Sequence, residues 1–380
     1  MKNKLISKMY IAGFLIMLVV PLLLINRDDD AISEKENRPL AHFPHVHRDG
    51  GFNLKLSNEI ENYVNDRIGL RNELILLNGK LQYNVFGRME NPDRYRLGPD
   101  GEFNIIEADM IETYQHKNLY TDDELNEITD SYQKIDEYLE NMGCEFYLVD
   151  CYDKQTVYPE YFPDSVIQYG EISKTQQVIQ ALKNETDVNV VDLLPIYNEL
   201  KGEYEIYGKY GDPVHWTPRG AFIGYQQILK CINENNDGAY KVRTEEDYDI
   251  TITDQGMVFY GGVSHSNMSE SFERKNLDAT FVENCYDKYP AFEGTFIKDF
   301  TNKKAGNGTR VMIFGNSFVR FYILEDLAES FGETLFVLDT SEYNNFKERI
   351  DCYKPDIVIY QLAERYTTNE NLIAAAKDFK

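Results

Sequence analysis

Cysteine is scarce in this chain. Cys144, Cys151, Cys231, Cys285 and Cys352 are scattered over 380 residues, and no two form a C-x-x-C pair. That excludes a disulfide-stapled scaffold and gives no zinc motif, and the odd count leaves at least one thiol outside any intramolecular bridge. Positive charge is also short: 39 Lys and Arg face 64 Asp and Glu, a net charge of −25. A surface that negative repels phosphate backbones, so nucleic acid is not expected as a partner. Tryptophan occurs once, at Trp216. Apolar material is plentiful, with 42% hydrophobic and 13% aromatic residues, which excludes a mostly disordered chain. The length fits one large or two modest domains, and no internal repeat is visible.

Charge is missing altogether from Met9 to Asn26, a run of mostly Ile, Leu, Val, Met and Phe. A helix needs about 20 apolar residues to cross a bilayer, with a lower limit near 17, so the run is just long enough. Lys2, Lys4 and Lys8 precede it, and Arg27 with Asp28, Asp29 and Asp30 follows. The basic flank is expected to stay in the cytoplasm, which puts everything after residue 27 outside. A signal peptide would share this start. However, the only small-x-small triplet nearby, Ala31-Ile32-Ser33, lies beyond the charged stretch, so an uncleaved anchor is expected. The division that follows is residues 1–27 as cytoplasmic tip and transmembrane anchor, and 28–50 as a stalk punctuated by Pro39 and Pro44. Residues 51–380 form an extracytoplasmic α/β domain, with 240–305 as an insertion.

Hydrophobic periodicity supplies the elements. Helices are predicted over 54–63 and 73–86, the latter with Leu74, Leu77, Leu81 and Val85 on one stripe. The clearest helix runs from Asp122 to Met142 and is closed by Gly143, with the strand Phe146 to Val149 after it. Further strands are predicted at 188–191, 311–314, 334–338 and 357–360, separated by helices at 174–183, 319–331 and 343–353. Strands alternating with helices predict a parallel sheet covered on both faces, an α/β fold. Residues 240–305, rich in Thr, Asp, Gly and Asn, break that rhythm.

Two short segments carry candidate chemistry. In Asp212-Pro213-Val214-His215-Trp216-Thr217-Pro218, Thr217 is placed to cap a helix whose first residue is Pro218. Asp212 and His215 then sit three apart in the preceding loop, a spacing that lets the carboxylate reach Nδ1 and leaves Nε2 as a base. The structural alternative is an Asp capping a turn and a His packed beneath Trp216. In Val311-Met312-Ile313-Phe314-Gly315-Asn316-Ser317-Phe318, a hydrophobic strand ends in a Ser at the mouth of a helix. In parallel sheets the ligand crevice lies at the carboxyl ends of strands, and a helix start offers N–H groups to an oxyanion. The alternative is that Ser317 is only a cap. A Ser, a His and an Asp, each at a loop–helix junction of one α/β body, point together to a nucleophilic triad.

Gly315-Asn316-Ser317-Phe318 resembles the Gly-Asp-Ser block of SGNH hydrolases. With the Asp-x-x-His segment lying before the Ser, the chain resembles the alginate O-acetyltransferase group and the DHHW-type proteins. Glu36-Asn37-Arg38-Pro39-Leu40 with Phe43-Pro44, Asp66-Arg67-Ile68-Gly69-Leu70-Arg71, Lys154 with Val157-Tyr158-Pro159-Glu160, and Lys354-Pro355-Asp356 with Glu364-Arg365 are similar to segments of the same group. The resemblance implies an SGNH-hydrolase-like fold and serine chemistry on acyl esters, with no cofactor. Three departures stand out. The His follows the Asp by three residues where the alginate enzymes have two, Asn316 replaces the Asp before the nucleophile, and Tyr260-Gly261-Gly262-Val263 lies where relatives often have Gly-Asp-Leu.

On this reading Ser317, His215 and Asp212 are the catalytic residues of an extracytoplasmic O-acyltransferase that modifies a cell-surface or exported polysaccharide. An esterase with the same triad and a non-catalytic glycan-binding envelope protein are the alternatives. Lys154, Arg320, Trp216 and Asn316 are the substrate-binding candidates, with the Tyr-rich stretch Tyr204, Tyr207 and Tyr210 as a sugar platform. His42, His45 and His47 form H-x-x-H-x-H, but a Pro-containing stalk with little nearby acid favours no metal. Because acetyl-CoA is cytoplasmic, the acyl donor implied is a multipass membrane O-acyltransferase.

Overall fold

The computed structural model describes residues 2–28, 32–33, 38–48, 51–89, 91–257, 265–283, 285–292, 295–338, 346–366, 373 and 376–377. Among them two compact units separate, the first ending at Met89 and the second beginning at Asn91. In the first, α1 (Lys2–Leu23) contains an 18-residue stretch of mean hydropathy 2.1, Ile6–Leu23, long and apolar enough to cross a membrane. Two small hairpins follow, β1 (Ile32–Ser33) with β2 (Arg38–Pro39) and β3 (His47–Arg48) with β4 (Gly51–Phe52). Then come α2 (Leu56–Arg67) and α3 (Arg71–Phe86). The helices expected within 51–90 thus belong to this first unit.

The last turn of α1 is fastened to the α2–α3 turn through backbone groups. Gly69 N–H donates to Pro21 O at 2.9 Å and Asn26 N–H to Arg67 O at 2.8 Å. The buried Arg67 guanidinium donates to the carbonyls of Ala41, at 2.6 Å, and Asp28. Residue 69 must be glycine for this approach, since a Cβ there would lie 2.3 Å from that of Leu24.

The second unit begins with the hairpin β5 (Tyr95–Leu97) and β6 (Phe103–Ile105), then α4 (Met110–Tyr114) and α5 (Asp122–Glu140). There follow β7 (Glu145–Cys151), α6 (Lys154–Val157), α7 (Lys174–Glu185), β8 (Asn189–Asp192), α8 (Leu194–Leu200) and α9 (Pro218–Asn235). β9 (Tyr248–Asp254), β10 (Met268–Arg274), β11 (Thr280–Val282), β12 (Ile297–Thr301) and β13 (Arg310–Gly315) come next. The chain then adds α10 (Leu324–Ser330), β14 (Glu333–Leu338), α11 (Phe346–Tyr353) and β15 (Ile357–Ala363). The start of α5 is set by a capping box between Thr121 and Glu124, and Gly143, at φ 74°, turns the chain into β7. Residues 343–345 of the helix predicted over 343–353 lie outside the described residues.

The central sheet has seven strands in the order β11-β12-β14-β13-β15-β7-β8. β14, β13, β15, β7 and β8 run parallel, as the alternation predicted, and β12 and β11 extend the edge antiparallel. Residues 240–305 therefore split in two: among the described residues β9 and β10 pair only with each other, whereas β11 and β12 complete the sheet.

Both faces are buried because side chains alternate along each strand. Val311 and Ile313 join one core with Trp216, Ile228, Leu229 and Leu327, and Met312 and Phe314 join the other with Tyr132, Ile135, Val178 and Ile350. Each such side chain, fully buried, contributes about 1.5–3 kcal/mol.

The first turn of α9 is pressed onto the loop before it. A Cβ at Gly220 would meet Ile206 O at 2.4 Å, a backbone atom that cannot swing aside. Gly220→Ala is therefore expected to cost about 1–3 kcal/mol, as overpacked sites do, measured by the urea midpoint at unchanged m-value.

Candidate active site

The loop ahead of α9 is folded by its own polar residues. Thr217 caps α9 by accepting from Gly220 N–H at 3.1 Å, and its backbone N–H donates to Ile206 O at 2.8 Å. Asp212 Oδ1 accepts from the N–H groups of Val214 (2.7 Å) and His215 (3.3 Å), closing an Asx turn. The turn frees Oδ2 to lie 2.7 Å from His215 Nδ1. The carboxyl of Asp212 is partly buried, which by itself raises its pKa. The imidazole and the two amides outweigh that and hold it below the usual carboxylate range.

Ser317 arrives from the other side. β13 ends at Gly315, and after Asn316 the chain turns into a helix whose first full turn, Val319–Ile323, is a π-turn. Such turns are common at functional sites. Ser317 Oγ stands 2.7 Å from His215 Nε2. With the proton on Nδ1, the imidazole donates to Asp212 and Nε2 accepts from the serine hydroxyl. Phe318 and Tyr322, four residues apart on one helix face, pack their rings 4.9 and 5.7 Å from the imidazole. Burial, with the Asp212 charge behind it, pushes the Tyr322 phenol up to about 12, so it stays protonated at neutral pH. The three predicted residues, drawn from two loops 102 positions apart in sequence, meet in one hydrogen-bonded relay.

The other predicted residues sit differently. Trp216 is almost fully buried in the core, edge-on to Phe318 at 5.2 Å, and so supports the site from beneath without facing a ligand. Arg320 lays its guanidinium over Phe296 at 4.0 Å. Asn316 Oδ1 accepts from Phe318 N–H at 3.0 Å, and no partner pairs with its amide nitrogen among the described residues. Tyr207 is buried with its hydroxyl on Tyr152 O, whereas Tyr204 and Tyr210 are half-buried. Tyr260-Gly261-Gly262-Val263 lies outside the described residues. His42, His45 and His47 line a cavity of about 470 Å³ in the first unit. Among the described residues no set of three or more His, Cys, Asp or Glu is arranged to hold a metal.

Sequence reasoning missed Gln361. It is fully buried on β15, and its Oε1 accepts from Asn316 N–H at 3.0 Å, fixing the residue before the nucleophile. The readable signal was a lone amide in an otherwise apolar strand.

Lys154 corrects its expectation. Its ammonium does not face the crevice: it is 1% exposed and donates to Phe103 O (2.6 Å), Gly208 O (2.6 Å) and Lys209 O (3.1 Å). An ammonium has three protons, and three carbonyls take them. Burial pushes its pKa down to about 7, against the opposing charges of Glu205, Glu102 and Asp212. Lys154 is thus a clamp on the loop leading into the Asp212 turn. Lys154→Met removes all three donors; Lys209 O keeps the N–H of Phe103, and each carbonyl that is left buried and unpaired costs about 1–3 kcal/mol. Amide hydrogen exchange across 205–214 is expected to accelerate in this variant, and unchanged protection there would remove the clamp.

Residues 112–265 match a protein family described as the SGNH hydrolase-like domain of the acetyltransferase AlgX. No curated protein sequence matches the chain. Among solved structures, Bacillus cereus PatB1 superimposes with a TM-score of 0.52 at 17% identity, over 73% of this chain and 98% of that one. PatB1 with a sulfonyl adduct gives the same score and coverage at 16% identity. The O-acetyltransferase domain of Pseudomonas putida AlgJ gives a TM-score of 0.46 at 12% identity, over 76% and 99%. At these identities the PatB1 likeness speaks for the fold alone, and the family match is confined to residues 112–265. Within this chain, residues 112–265 are thus similar to the SGNH hydrolase-like domain of AlgX.

Proposed function

We propose that this chain is an extracytoplasmic O-acyltransferase that acetylates a surface or exported polysaccharide. The observation that carries the reading is the relay itself: carboxylate, imidazole and hydroxyl linked at 2.7 and 2.7 Å at the carboxyl end of a parallel sheet. His215 Nε2 takes the Ser317 proton as Oγ attacks the acyl carbon of the donor, and Asp212 stabilises the imidazolium that forms. Collapse of the adduct expels the donor's alkoxide, which leaves with that proton, and the acyl group stays on Ser317. A sugar hydroxyl then gives its proton to His215, attacks the acyl-serine and carries the acyl group away. The proton returns to Ser317. The Asn316 amide nitrogen and the N–H of Ser317, at the head of its helix, are the groups we assign to the oxyanion.

In this reading residues 1–27 are a cytoplasmic tip and anchor and 28–50 a stalk, which keep the site on the outer side of the membrane. The acyl group then has to be handed across the bilayer, so the donor is a multipass membrane acyltransferase. AlgX is described as an acetyltransferase, and the P. putida AlgJ structure as an O-acetyltransferase domain.

A serine-directed fluorophosphonate is expected to label Ser317. Ser317→Ala abolishes the labelling, and His215→Ala slows ester turnover by several orders of magnitude, as loss of one member of such a unit does. An unlabelled wild-type protein would leave only glycan binding.

Transfer and hydrolysis separate by product. A well-oriented bound acceptor reaches effective molarities of about 10⁵ M or more, enough to outcompete water. With an aryl acetate and the host's own envelope oligosaccharides, most of the acetyl is expected on sugar by mass spectrometry. Free acetate as the sole product would make the chain an esterase.

A further inference from the structure

Helix α3 has two apolar faces, and the described residues cover only one. Ile75, Leu76 and Gly79 turn inward, whereas Leu70, Leu74, Leu77, Leu81 and Val85 fall on the opposite side at three- and four-residue steps. Leu77 is 55% and Val85 64% exposed. The 16 residues of α3 make it about 24 Å long at 1.5 Å per residue, and an apolar band of that length is not left in water without a reason.

Two observations name the occupant. The first is position. α3 starts at Arg71, two residues after Gly69, whose N–H is bonded to Pro21 O in the last turn of α1. If α1 spans the bilayer, its last turn lies at the membrane surface, and α3 therefore begins there. The second is charge. Between Leu70 and Met89 the chain carries Arg71, Lys80 and Arg88 against Glu73 alone, inside a protein of net charge −25. The neighbouring α2 is the reverse, with Glu59, Glu61 and Asp66 against Arg67. A basic, apolar-striped helix beside a membrane span has the make-up of an interfacial helix.

We propose that α3 lies in the headgroup–acyl boundary of the bilayer that α1 spans, with the stripe from Leu70 to Val85 facing the acyl chains and its basic residues meeting anionic phospholipid. The inference rests on the reading of α1 as a membrane span. Its consequence is that the end of the span and the whole of α3 hold the first unit to the surface along a line, not at a single point.

Trp216 is the only native Trp and is buried, so an added Trp reports against a fixed background. The full chain carrying Leu77→Trp, Phe14→Trp or Glu61→Trp is reconstituted into vesicles of phosphatidylethanolamine and phosphatidylglycerol, with and without bromine on the acyl chains. Phe14 lies in α1, and Glu61 is exposed on the polar face of α2. The expected result is loss of emission in brominated vesicles for Phe14→Trp and Leu77→Trp, and none for Glu61→Trp. Loss at Phe14 without loss at Leu77 overturns the proposal while keeping the anchor. Blue-shifted Leu77→Trp emission that bromine leaves untouched means that a protein partner or a second copy covers the stripe, which also overturns it. No loss at either site removes the membrane span and the proposal with it.

Discussion

One buried ammonium holds the active loop in place. Lys154 Nζ joins three stretches of chain that are remote in sequence: the start of β6 at Phe103, the first turn of α6 that Lys154 itself opens, and the backbone at Gly208 and Lys209. Carbonyl dipoles satisfy its protons, and among the described residues no carboxylate lies within ion-pairing distance. The negative charges of Glu205, Glu102 and Asp212 stand further off and favour the charged form. A cation in such a setting fixes geometry at a cost in desolvation. Here the geometry fixed is that of residues 208–212, and so the direction in which the Asp212 carboxylate points.

The sheet does the rest of the positioning. β7, β15 and β13 are adjacent and parallel, so their carboxyl ends open on one side. Lys154 follows β7, Gln361 lies near the end of β15, and Ser317 follows β13. Because Phe314 is in register with Tyr360, the chain leaving β13 passes directly beside Gln361, whose side chain takes the Asn316 N–H. The Ser317 turn, the Gln361 support and the Lys154 clamp stand at three neighbouring strand ends of one ladder.

The three-residue spacing between Asp212 and His215 departs from the spacing in the alginate enzymes, and the Asx turn accommodates it. One carboxylate oxygen is spent on the N–H groups of Val214 and His215, which curls the loop until the other oxygen reaches Nδ1. Replacement of the usual Asp by Asn at 316 is accommodated in a comparable way, since the acceptor needed by Phe318 N–H is an amide oxygen as readily as a carboxylate.

Local patterns were enough for the sequence to determine the α/β alternation, the parallel core strands and the apolar N-terminal helix, and to single out Asp212, His215 and Ser317, which the fold brings within hydrogen-bonding reach. Period-two and period-3.6 burial and cap chemistry are written in neighbouring residues. The departures came where distant segments meet. A lysine after a strand looks the same whether it faces a crevice or three carbonyls, and only the β5–β6 hairpin arriving from elsewhere made Lys154 a clamp. Trp216 beside a histidine suggested a ligand wall until α9 and Phe318 enclosed it. The edge strands β11 and β12 were hidden in a loop-like composition because the strand that joins β12 to the sheet, β14, lies 30 or more residues onward, and β11 pairs only through β12. The leucine stripe of α3 was legible as helical, but which of its two apolar faces is covered depended on the packing of the first unit. Sequence specifies what each segment prefers, whereas burial and hydrogen-bond partners are set by which segments converge, and that is a property of the tertiary fold alone.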